Sequence, residues 1–322
     1  MVQLARYVGP NGIVHTGRIQ HGAIQDIPGD PQILDLLTGP EERRRDLLVR
    51  AGRQQRLPIG QATFAVPVQP RAMRDFLVFE AHIAGMKKNE PGDGTVPPQW
   101  YEEPAFLFMN PWSVLPTGAD IPMPPGTRKL DFELEVAMIV KHTVRDVPLE
   151  EAHEHIAGFA IFNDWSARDI QAGEMRIGLG PSKGKDFANT LGPWITTPDE
   201  LEQYREGDRY ALEMSVAVNG EVVGTDNLRN MSWSFEELLV HASRDAWVGA
   251  GDVLATGTAS QGALSERWAR AGGELVVPPL QVGDVVTMTV QGLGTVENRI
   301  VETASPGHRV PRARRTYGAD RL

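Results

Sequence analysis

Residues Lys129-Leu130-Asp131-Phe132-Glu133-Leu134-Glu135-Val136-Ala137-Met138-Ile139-Val140 begin by setting acids and apolar residues at alternate positions. In an extended strand side chains alternate faces, so Leu130, Phe132, Leu134, Val136, Met138 and Val140 form one side and Asp131, Glu133 and Glu135 the other. A strand of this pattern is ordinarily half buried with its polar side in water. Yet three carboxylates at steps of about 7 Å repel one another unless they are solvated, protonated or held by a cation. An acidic face that looks inward therefore needs a metal. With no cysteine in the chain, thiolate zinc sites, disulfides and a cysteine nucleophile are excluded. Hard oxygen donors suit Mg²⁺, Ca²⁺ or Mn²⁺.

Other groups able to do chemistry are scattered along the chain. The apolar spacing of residues 71–88 predicts a helix, which would put Asp75 and His82 two turns apart on one flank. A buried strand over 158–162 would deliver Asn163-Asp164-Trp165-Ser166-Ala167-Arg168-Asp169-Ile170-Gln171, so that acid, cation and amide meet at a strand end. Lys185 sits in a glycine-rich loop, but the loop lacks the G-x-x-x-x-G-K-[ST] spacing and Pro181 removes a backbone donor. A nucleotide site is rejected. His153-Glu154-His155 is not His-Glu-x-x-His, and histidines two apart face different sides of a helix, which argues against a metal there. Thr256-Gly257-Thr258 ends a strand, and Glu266 follows eight residues after Thr258.

The elements that must position these groups read as short strands and turns. Of 322 residues, 41% are hydrophobic and 23% charged, an ordinary globular balance, while 33 Gly, 24 Pro and 7% aromatics argue against a helical bundle. The net charge of −10 argues against nucleic acid as a partner and leaves a small anionic substrate open. No run of about 18 apolar residues could span a bilayer, and the N-terminus lacks a signal-peptide profile, so a cytoplasmic protein is expected. Strands over 4–8, 13–19 and 22–26 and a helix over 39–51 suggest a small structural domain ending near residue 70. The Gly/Pro-rich stretch 89–104, with Trp100, Tyr101 and Glu103, reads as a lid. The last third is strand-rich, with a type I′ turn at Asn219-Gly220, a helix over 234–242, and an Arg-rich tail over 306–322 bearing Arg309, Arg312, Arg314 and Arg315.

Taken in order, Asp75-Phe76 with His82 seven residues on, Leu130-Asp131-Phe132-Glu133-Leu134-Glu135, Asn163 through Gln171, Gly184-Lys185-Asp186-Phe187 and Thr256-Gly257-Thr258 resemble the fumarylacetoacetate hydrolase superfamily from about residue 71 to 301. The resemblance implies a strand-rich α+β fold, with a β-sandwich roll catalytic domain over 71–305 behind the small N-terminal domain, and a homodimer. It implies a divalent ion, usually Mg²⁺, held by Glu133, Glu135 and Asp164 with Asp75 as a further acid nearby, and Asp131 in support. His82 matches the general base and Glu266 the acid that orients it. Lys185, Arg168 and Gln171 match the polar wall around the substrate, with Thr258 beside it. The run Gln261 to Trp268 departs from the family's usual one, so Glu103, a lid acid just before a proline as in the decarboxylating branch, competes as the partner of His82. Asn189-Thr190 replaces a Thr pair beside the lysine loop. The implied activity is Mg²⁺-dependent C–C hydrolysis of a 1,3-diketo acid, acylpyruvate or fumarylacetoacetate-like. Decarboxylation of a β-keto acid, isomerisation or hydration of an unsaturated 2-oxo acid, and a non-catalytic metal-stabilised module are the alternatives.

Overall fold

Strand Leu134–Val140 is buried at every position rather than at alternate ones. The cause is cover on both sides of its sheet. In the computed structural model, which describes residues 2–52, 56–89 and 94–313, this strand lies inside a 12-stranded mixed sheet. Its neighbours are Ile156–Asp164 and Val253–Ala255; beyond the latter come Met73–Phe76 and then the edge strand Phe106–Met109. One face, with Val136, Met138, Val140, Phe159 and Ile161, packs on Met214, Val216, Met288, Val296 and Ile300 of a five-stranded sheet. The two sheets make the sandwich expected of a strand-rich α+β fold. On the other face Ala137, Ile139, Phe162 and Leu191 meet Leu4, Ile33, Leu36, Leu37 and Leu47, carried largely by helices Ile33–Thr38 and Glu41–Ala51. The N-terminal strand Gln3–Val8 pairs with Asn189–Thr196 through Gln3↔Thr196 and Leu4↔Ile195, which joins the N-terminal strands to this sheet.

The acidic stretch is two strands, not one. Leu130–Asp131 pairs with Ser166–Ala167, while Leu134–Val140 pairs with Ile156–Asp164. Between them side chains satisfy the backbone that a ladder would otherwise use: Phe132 N–H donates to Asp131 Oδ1 at 2.8 Å and Glu133 N–H to Asn163 Oδ1 at 3.0 Å.

The helix expected over 71–88 is shorter and begins later, as Glu80–Met86. Met73–Phe76 is a strand, parallel to Val253–Ala255 and antiparallel to Phe106–Met109. Ladder pairing on both edges overrides a helical spacing that Phe76 and Phe79 happen to share. Two local expectations in the last third hold. Asn219 (φ 52°) and Gly220 (φ 83°) form the tight turn, and Ser234 caps helix Phe235–Ser243 in a reciprocal capping box with Glu237. Of the stretch read as a lid, residues 90–93 lie outside the described chain; Trp100 is buried, its Nε1 donating to Leu77 O at 2.6 Å. Arg309 and Arg312 are exposed, and Arg314 and Arg315 lie outside the described residues. Among the described residues no helix is long and apolar enough to cross a membrane.

Candidate active site

Strand ends in the large sheet bring the acids together. Asp75 lies on Met73–Phe76, Glu133 in the gap before Leu134–Val140, Glu135 on that strand and Asp164 at the end of Ile156–Asp164. Asp75, Glu133 and Glu135 each place a carboxylate oxygen within 4.8 Å of the others, all three buried. Glu135 Oε2 accepts from Gly257 N–H at 3.2 Å. Glu135 Oε1 and Asp75 Oδ1 are buried and accept from no N–H or hydroxyl group. Stripping an anion of water without a partner costs several kcal/mol. Two orphaned oxygens among buried acids, all hard donors, fit a divalent cation.

Lys185 ties in the fourth acid, its ammonium bridging Glu133 and Asp164. The glycine before it is sterically required, since a Cβ at Gly184 would come within 2.7 Å of Gln171 N. With its amide turned to satisfy both ends, Asn189 donates to Asp164 Oδ1 at 3.1 Å. Thr190 is turned elsewhere, bonded to Trp165 Nε1 and Asn298 Oδ1, both at 3.0 Å.

These acids do not ionise alike. Burial lifts Asp75 to about 6, with Lys185 pulling it down and Glu133 pushing it up. Burial and the neighbouring Asp75 hold Glu135 well above the usual carboxylate range, and burial does the same to Asp164 despite Lys185. Burial also opposes ionisation of Glu133, but Arg168 and Lys185 overcome it and hold that group well below its ordinary value. Protons and two organic cations thus compete for charge that a dication could neutralise.

Arg168, at the start of helix Arg168–Met175, donates from Nε to Asp131 Oδ2 at 2.8 Å, from Nη2 to Glu133 Oε1 at 2.8 Å and from Nη1 to Gln171 Oε1 at 3.1 Å. Asp131 also accepts the N–H groups of Leu264 (2.8 Å) and Ser265 (3.0 Å), which start helix Leu264–Arg270. Asp131 therefore faces neither water nor the other acids; it locks the helix that carries Glu266 to the wall around Glu133. Asp131→Ala should cost about 3–5 kcal/mol in urea unfolding, since a buried guanidinium loses one of its two carboxylates and two buried backbone N–H groups lose their acceptor. A loss under about 1 kcal/mol, the level of a surface ion pair, would contradict that placement.

His82, on helix Glu80–Met86, hydrogen-bonds through Nδ1 to Glu266 Oε2 at 2.8 Å, both side chains being buried. The sequence reading leaves Glu266 without a helix. The structure puts it in the first turn of Leu264–Arg270, where Gln261 N–H donates to Oε2 at 2.7 Å and Arg270 Nε to Oε1 at 2.8 Å. Burial opposes its ionisation, but the His82 and Arg270 hydrogen bonds outweigh that and hold the carboxyl below its ordinary value. Glu103, the competing acid, instead forms a two-pronged pair with Arg244, with distances of 2.6 and 2.8 Å and both side chains about half exposed. Gly85 lets the two helices approach, because a Cβ there would meet Glu266 Oε1 at 2.4 Å and Arg270 Nη2 at 2.6 Å. Gly85→Ala should lower kcat on the order of 10²-fold by misplacing this pair, with the melting point as the control that separates misplacement from unfolding.

Asp75, His82, Glu133, Arg168, Gln171, Lys185 and Thr258 all line one cavity of about 500 Å³. So Asp75 and His82 do meet at one site, although across a strand–helix turn rather than along a helix. Sequence reasoning missed Arg270, Gln261 and Asn163 as supports. Arg270 was detectable, being four residues after Glu266, the spacing of a helical ion pair.

The comparisons with known proteins add the family. A family model, the C-terminal domain of fumarylacetoacetate hydrolase, matches residues 71–301. The chain belongs to the fumarylacetoacetate hydrolase family. Fumarylacetoacetase of Oryza sativa subsp. japonica is 30% identical over 246 residues, 63% of this chain and 57% of that protein. The chain thus spans less than two thirds of the fumarylacetoacetases of rice and Arabidopsis thaliana, matching 57% and 62% of their lengths. Among solved structures, maleylpyruvate hydrolase from Sphingobium sp. SYK-6, in complex with manganese(II) and pyruvate, superposes with TM-score 0.69 at 20% identity, covering 94% of this chain and 99% of that one. The 5-carboxymethyl-2-hydroxymuconate delta-isomerase of Mycobacterium smegmatis gives 0.66 at 22%, covering 94% and 100%. At these identities the two structures speak for the fumarylacetoacetate hydrolase fold, in proteins named as a hydrolase and an isomerase.

Proposed function

We propose that this chain is a divalent-metal-dependent hydrolase that cleaves a C–C bond in a 1,3-diketo acid, an acylpyruvate or a fumarylacetoacetate-like compound. One observation carries the reading: His82, held by the buried Glu266, lines the same cavity as Asp75 and Glu133. Glu133, Glu135 and Asp164 would hold the ion, with Asp75 beside them, and Mg²⁺ or Mn²⁺ would there polarise the keto oxygens and offset developing negative charge. The Sphingobium hydrolase, whose structure carries manganese and pyruvate, is compatible with that choice.

The chain's own residues supply the proton chemistry. With Nδ1 bonded to Glu266, His82 keeps Nε2 to take a proton from water. The water oxygen bonds to the acyl carbonyl carbon, and the bond from that carbon to the neighbouring methylene breaks. Its electron pair stays on the methylene, which takes up the proton that His82 holds. Water is thereby consumed, and the products are the acyl acid and pyruvate, or the corresponding keto acid. The Lys185 ammonium and the Gln171 amide line the wall where negative charge would develop. Arg168 gives its donors to Asp131, Glu133 and Gln171 and so shapes that wall.

A panel of acylpyruvates with Mg²⁺ in ¹⁸O-water tests the reading: one ¹⁸O should enter the released acyl acid. Oxaloacetate decarboxylation without C–C hydrolysis of any panel member would overturn it. That chemistry would draw on Glu103, which pairs with Arg244 on the surface.

A further inference from the structure

The acids Asp75 and Glu133, Lys185, Arg168 and Gln171 lie on one cavity lining, and apart from His82, Lys87 and Thr258 the other side chains on it are apolar. His82 and Met86 are four apart on helix Glu80–Met86, so both project on one flank, Met86 one turn of about 5.4 Å beyond the base. In the antiparallel pairing of Met73–Phe76 with Phe106–Met109, Leu107 stands opposite Asp75. Opposed residues share a sheet face, so Leu107 stands beside Asp75 in the cavity lining; Phe106 sits opposite Phe76, their rings tilted at 5.1 Å, and both also line the cavity. Leu77, Ile83 and Pro181 extend the apolar lining. Lys87 lines the same cavity beside Met86 and already has an interaction of its own.

We propose that the substrate's acyl arm is neutral and apolar, long enough to reach past one helical turn, and that Met86 and Leu107 set that preference. This rests on the hydrolase reading above. The substituent on the attacked carbonyl must leave the neighbourhood of His82, and the same flank of the helix leads it to Met86. An arm ending in a carboxylate would lose its water against this largely apolar wall, whose cation among the described residues, Lys87, already has an interaction of its own. A small acetyl arm would leave much of a cavity of about 500 Å³ to solvent, since pockets that enclose whole ligands begin near 300 Å³.

The test compares kcat/KM of the full chain with Mg²⁺ on acetyl-, butanoyl-, hexanoyl- and succinylpyruvate. The expected result is a rise of about threefold to fourfold per added methylene, with succinylpyruvate about tenfold or more below butanoylpyruvate. Met86→Arg should lower the hexanoyl-to-succinyl ratio by about tenfold or more, and Met86→Ala should flatten the series. Because these are ratios within one protein preparation, partial misfolding of a variant cancels. A flat series, or a wild-type preference for succinylpyruvate, overturns the apolar arm and leaves C–C hydrolysis standing. Absence of cleavage across the whole panel overturns both.

Discussion

Chelation of divalent metal should abolish turnover, and Mg²⁺ or Mn²⁺ should restore it. The expectation follows from the charge left inside the site. Asp75, Glu133, Glu135 and Asp164 face one another in a buried cluster, Lys185 answers two of them, and Arg168 divides its charge between Glu133 and Asp131. Glu135 Oε1 and Asp75 Oδ1 remain without an N–H or hydroxyl donor. Glu135→Gln keeps shape and removes charge, so metal affinity measured by calorimetry should fall by about 100-fold or more, beyond the 10–100-fold typical of supporting residues.

The pH dependence has a definite sign. Asp75 is lifted to about 6, and Glu135 and Asp164 lie well above the usual range. Raised acids bind protons in the folded chain that the unfolded chain has released, so their contribution to the metal-free protein is fully present below about pH 4. It is lost as pH rises through the folded values, about 6 for Asp75. Those same protons must leave before an ion can bind, so affinity for Mg²⁺ should tighten with rising pH, with proton release. The gain in Tm on adding Mg²⁺ should therefore be larger at pH 8 than at pH 5. Equal gains at both, or full activity after chelation, would sink the assignment.

The sequence made parts of this site legible because the signals are local. Alternation picked out Leu130 to Val140 as a strand, and the alternate apolar residues do line the sandwich core. What could not be read is which long-range partner covers the other face. The acids look inward because the sheet is covered on both sides, and their cover comes from segments far away in sequence. Asp131 shows the same limit. It continues the period of Glu133 and Glu135, but its side chain is claimed by Arg168 and by two backbone donors of a helix 133 and 134 residues later. The spacing of Asp75 and His82 suggested a shared helix, and their convergence is real, yet a parallel ladder with Val253–Ala255 made the first of them a strand residue. Distance separates Glu266 from Glu103: one hydrogen-bonds His82 at 2.8 Å, the other pairs with Arg244.

His82→Ala should lower kcat by about 10²–10⁴-fold, or about 3–5 kcal/mol at the barrier, while Mg²⁺ affinity stays near the wild-type value. The base and the acid cluster share a cavity but no hydrogen bond joins them among the described residues, so removing the imidazole should leave the ion's ligands in place. Glu266→Gln keeps an acceptor for Nδ1 and removes the negative charge that stabilises the imidazolium formed when His82 takes its proton. It should act on kcat more than on KM, because that charge matters most once the proton has moved. The two residues work as one unit, so the double variant should be scarcely slower than His82→Ala alone. Losses that simply multiply in the double variant would mean that His82 and Glu266 act independently, and the proton would then have to be taken by another group lining the cavity.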